Sequence, residues 1–80
     1  SELYSIDRLI QRASRIYLQM YEEEYPHRDM RVVHESLNLL FTSSIKEYLA
    51  ETAPPLTEDE FLDNLSRTIL LYLTQPAKKT

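Results

Sequence analysis

The stretch MRVVHESLNLLFTSSIKEYLA, residues Met30 to Ala50, decides how the rest of the chain must be arranged. Met30, Val33, Leu37, Leu40, Phe41, Ile45 and Tyr48 recur at steps of three and four, which places them on one face of a helix. The segment is the middle one of three with this periodicity, so it must touch both others. A second, thinner line runs along its back: Val32, Ser36, Leu39, Ser43 and Ala50. Small residues on that line let another helix approach, and the leucine and valine give it something to bury.

Upstream, Ile6, Leu9, Ile10, Ala13, Ile16, Tyr17 and Met20 repeat at helical spacing and predict a first helix over about residues 4–24, capped by Ser1 or Ser5. Tyr17, Tyr21 and Tyr25 step by four and widen its apolar stripe, with hydroxyls expected at a wet margin. Arg8, Arg12, Arg15 and Gln19 form a row on the far side, expected to be solvated, with Asp7 near enough to pair. Glu22, Glu23 and Glu24 oppose the helix dipole, and Arg28 and Arg31 are expected to offset that cost. Pro26 ends the helix, and Asp29 caps the central one, predicted over about residues 30–51. So short a connection makes the two helices antiparallel neighbours.

Downstream, Pro54-Pro55 stiffens a linker over about residues 51–56. Thr57-Glu58-Asp59-Glu60 matches a capping box, in which threonine and glutamate each satisfy the other's backbone amide. A third helix follows over about residues 58–74 and stops at Pro76, and Ala77 to Thr80 read as a frayed polar tail. Phe61, Leu62, Leu65, Ile69, Tyr72 and Leu73 make its inward face. Leu70 and Leu71 point elsewhere, so its last turns are apolar nearly all round, which predicts burial on every side.

The fold class that follows is all-α, one domain: an antiparallel three-helix bundle completed by a second chain. Eighty residues bury only about 60% of the surface their unfolded form exposes, so staples or association are expected. Without cysteine there are no disulfides or thiolate metal sites. Without glycine, phosphate-cradling loops and tight primed hairpins lose their usual residue. A net charge of −4 disfavours nucleic acid and anionic lipid. No apolar run approaches about 20 residues, and a cytoplasmic protein is the default reading.

The chemistry sought gives no enzyme. No serine–histidine–carboxylate spacing suggests a triad, and Asp59, Glu60 and Asp63 read as an exposed first turn. His34 reads as a hydrogen-bonded structural residue, and His27 falls in the turn, so they do not form a metal pair. No cofactor and no metal are expected. His34-Glu35-Ser36-Leu37 resembles the attachment motif of acyl carrier proteins, but Glu35 stands where that family has Asp, and Ser36 falls mid-helix.

The second half, Val33 to Pro76, resembles the last two helices of TetR-type transcriptional regulators. The likeness lies in a long helix ending Glu47-Tyr48-Leu49-Ala50, a proline linker, Leu56-Thr57-Glu58-Asp59-Glu60-Phe61, and the ending Ile69-Leu70-Leu71-Tyr72-Leu73. It implies a dimeric four-helix bundle and a role in transcription regulation. No helix-turn-helix segment precedes the stretch, so a fragment or stand-alone relative is implied, without direct DNA binding. The expected function is a non-enzymatic dimerisation or protein-interaction module, regulatory in role and homodimeric, with Val32, Leu39, Ser43, Leu70 and Leu71 in the contact. The alternative is a small-molecule sensor or carrier with a pocket between the first two helices, at Tyr17, Met20, Tyr21 and Phe41.

Overall fold

The computed structural model describes residues 2–75, with side chains from Ile6 onward. Three helices, α1 (Glu2–Glu22), α2 (Met30–Ala50) and α3 (Glu58–Thr74), pack as a bundle, with no strand among the described residues. The all-α three-helix architecture is therefore as the sequence predicts. The expected cap at Ser1, the stop at Pro76 and the tail lie outside the described residues. Ser5 lies inside α1 and is not its cap.

The capping signals hold. Asp29 accepts from the Arg31 amide at the start of α2. At α3 the Thr57 hydroxyl accepts from the Glu60 amide at 3.2 Å, and the Glu60 carboxylate accepts from the Thr57 amide at 2.9 Å. Two of the four orphan donors of that helix start are thereby satisfied.

The core is one apolar cluster: Leu9, Ala13 and Met20 from α1, Val33, Leu37 and Phe41 from α2, and Phe61, Leu62, Ile69 and Leu73 from α3. Tyr25 joins it from the turn. No polar or charged side chain is buried with them among the described residues. The Tyr48 and Phe61 rings stack at 4.2 Å, and the Tyr48 hydroxyl donates to the Leu56 carbonyl, tying the second linker to α2.

Three expectations at the join of α1 and α2 need correcting. The first helix stops at Glu22, not near residue 24, so Glu23 and Glu24 are in the turn just beyond its carboxyl end. Tyr25 is not a wet edge residue: it is 7% exposed, and its hydroxyl donates to the Met20 carbonyl at 2.9 Å. That bond satisfies a carbonyl the last turn of α1 would otherwise leave unpaired. Burial, and then the nearby Glu23 charge, push the Tyr25 phenol upward. Arg28 and Arg31 do not offset the glutamates. Arg28 lies over the Tyr72 ring at 4.3 Å and donates to the carbonyls of Tyr72 and Gln75, closing the end of α3, whose own last turn has no basic residue. Arg31 lies 3.7 Å from Asp29. The reversal itself falls on His27, at φ 72°, in the region glycine would normally occupy.

Candidate protein-interaction surface

Charge is distributed unevenly around the bundle. Between α1 and α3 the charged side chains reach across and pair. Glu58 accepts from Arg8 at 3.1 Å and from Arg12 at 2.6 Å, and Asp59 lies 2.7 Å from Arg12. The Glu58 hydrogen bond, with Asp59 behind it, raises the Arg12 guanidinium pKa from its ordinary value. The expected solvated arginine row, with Asp7 as its local partner, is thus an inter-helix seam at two of its members. Asp63 pairs with Arg67 one turn along α3 at 3.0 Å. Together with the Glu60 cap, these contacts use all three carboxylates of the candidate acid–base face for structure.

The two flanks of α2 are built differently. Toward α1, a solvent-open hollow of about 180 Å³ is lined by Ala13, Ser14, Tyr17, Asn38, Phe41, Thr42 and Ile45. Tyr17 and Phe41 meet edge-to-face there, at 5.5 Å. Only these two of the four expected pocket residues share the hollow. Met20 is buried on the other side of α1, where it lines a cleft toward α3. Tyr21 stacks on His34 at 3.7 Å, and His34 Nε2 donates to the Tyr21 carbonyl at 3.1 Å, the structural role expected of it. The four residues therefore do not make one ligand pocket.

Toward α3 the surface is larger and more apolar. A groove of about 480 Å³ is lined by Ser36, Leu39, Leu40 and Ser44 of α2 and by Leu65, Thr68, Ile69 and Tyr72 of α3, with no charged side chain among them. Beside it a second hollow on α2 alone includes Glu35, Leu39 and Ser43. Leu39 is 66% exposed and Leu71 62% exposed, and Val32, Leu40, Leu70 and Tyr72 are exposed as well. Exposed apolar residues are ordinary when scattered and informative when they adjoin one another on one face.

The five expected interface residues divide between two surfaces. Val32, Leu39 and Ser43 lie along the outer line of α2, and Leu71 projects from α3. Leu70 instead lines the α1–α3 cleft with Ile16, Met20 and Tyr25, so it does not share the Leu39 surface. The expected burial of the last turns of α3 on every side is not met within the chain: Ile69 and Leu73 are buried, Leu70, Leu71 and Tyr72 are not. Leu40, Leu65, Thr68 and Tyr72 belong to the groove and were not expected there. Leu40, Leu65 and Tyr72 sit at the border of an inward stripe, and a period count cannot separate border from centre.

The described residues contain no group of three metal-ligating side chains, and no helix among them is long and apolar enough to cross a membrane. No family model, curated protein or solved structure matches this chain.

Proposed function

We propose that this chain is a non-enzymatic dimerisation module, regulatory in role, whose α2–α3 face is covered by a second copy. The observation that carries this reading is the groove between α2 and α3, apolar and uncharged, with Leu39 standing out beside it. A chain of net charge −4 repels its own copies at long range, so self-association favours a contact surface with little charge. In a two-fold contact each patch meets itself, and an uncharged apolar patch is complementary to itself. A stable contact takes about 800 Å² from each partner, roughly an eighth of the 6412 Å² the chain exposes. The resemblance to the last helices of TetR-type regulators supports the same arrangement and the regulatory role.

Size-exclusion chromatography with light scattering tests it. The expected mass at micromolar concentration is twice the 9.5 kDa of the chain, falling to the monomer in Leu39→Glu. A wild-type chain that stays monomeric, or a Leu39→Glu variant that associates as the wild type does, overturns the proposal.

A further inference from the structure

The charges on the outer surface of α2 point to an orientation for the second copy. Glu35 and Lys46 are both exposed, and neither makes an ion pair among the described residues. In contrast, Arg8, Arg12, Glu58, Asp59, Asp63 and Arg67 are all engaged within the chain. The eleven-residue step from Glu35 to Lys46 is about three helical turns, so the two charges stand on nearly one edge of α2, about 16 Å apart. Leu39 and Ser43 lie between them on that side of the helix. Glu47 follows Lys46 but projects a quarter-turn or more away, toward the α3 edge.

Resting on the dimer proposed above, we infer that the second copy docks with its α2 antiparallel to the first, so that Glu35 of each copy meets Lys46 of the other. Laid head to tail about a point midway between the two charges, the outer lines interlock. Leu39 of one copy falls beside Thr42 and Ser43 of the other, where the small serine leaves room for it. Val32 falls beside Leu49 and Ala50. Both ion pairs form at once, one at each end of the leucine contact. A parallel pairing of the two α2 helices sets Glu35 against Glu35 and Lys46 against Lys46, repulsive at both ends. Glu35 and Lys46, evenly placed about Leu39 and Ser43, therefore select the antiparallel arrangement, in which Arg31, one turn before Glu35, falls beside the uncharged Ala50 of the other copy and not beside a second Arg31.

Charge reversal reads out this orientation. Glu35→Lys alone and Lys46→Glu alone should each weaken the dimer by about tenfold, because two attractive contacts become repulsive. The double variant Glu35→Lys/Lys46→Glu should recover wild-type association. When the two single variants are mixed, native mass spectrometry should find the mixed dimer above its statistical share, since both cross-pairs are then complementary, and high salt should erase the excess. Circular dichroism of each single variant confirms that its helices are intact, and only folded chains contribute to the mixed dimer. A parallel pairing would favour the mixed dimer as well, but it would leave each single variant no weaker than the wild type, so the loss in the single variants decides the orientation. If the wild type dimerises but either single variant associates as tightly as it does, or the mixture shows no excess, the antiparallel orientation is wrong and the dimer itself stands. If the wild type never dimerises, the underlying proposal has failed and the orientation falls with it.

Discussion

Leu37 and Leu39 stand two residues apart on α2 and meet opposite surroundings: Leu37 is 0% exposed, and Leu39 is 66% exposed. Leu37 belongs to an inner line with Val33 and Phe41, closed on both sides by α1 and α3. Leu39 belongs to an outer line with Val32 and Ser43, which no described part of the chain covers. The residue type and the helix are the same, so propensity does not distinguish them. What differs is the space that three helices enclose, which in a chain of this length is too small for every apolar side chain it carries.

The two lines should respond differently to substitution, and the largest difference comes first. Leu37→Ala should cost about 2–5 kcal/mol of folding stability, by lost burial and a residual cavity, in urea unfolding at any protein concentration. A cost that depended on concentration would place Leu37 in an interface and dissolve the contrast. Thr57→Ala removes one half of the α3 capping box and should cost about 1 kcal/mol. A negligible cost would mean that tertiary packing alone holds that helix start. Tyr25 sharpens the inner side through pH. Its phenol holds its proton more tightly in the folded state than the ordinary value of 10.0, so the folded chain binds more protons there than the unfolded one. The associated stability is present below about pH 10 and is lost as pH climbs through the raised value. Tyr25→Phe should flatten that alkaline decline in a thermal scan, and an unchanged slope would show that the phenol does not govern it. Smallest of all should be Leu39→Ser measured at high dilution, within about 0.5 kcal/mol of wild type, because the lone chain leaves that side chain in water. A large loss there would show that the outer line stabilises the monomer itself.

Much of the inner line could be read from the sequence because it depends on local rules. Asp29 and Thr57 mark the starts of α2 and α3 through their own backbone amides, and the three- and four-residue steps of Val33, Leu37 and Phe41 give the buried face. The end of α1 could not be read so well. Tyr25 continues a four-residue step beyond Tyr21, yet its side chain folds back beneath Met20 after the helix has stopped. The Arg8 and Arg12 pairs with Glu58 and Asp59 join residues close to fifty positions apart, a choice made by helix packing and not by neighbours in sequence. Leu70 shows the same limit. Periodicity says that it leaves the inward face of α3, but only the placement of α1 decides that it leaves toward a different side from Leu39.

The two connections are not equivalent as places to alter the chain. In the first, Tyr25 holds the end of α1, Asp29 starts α2 and Arg28 closes α3, so five consecutive residues splice all three helices at one end. Extra residues inserted there would pull those three clasps out of step. The second connection, Glu51 to Leu56, is exposed throughout, and its hydrogen bond from Tyr48 lies at its last residue. A tag, a spacer or a fused domain therefore belongs at Pro54 and not at His27.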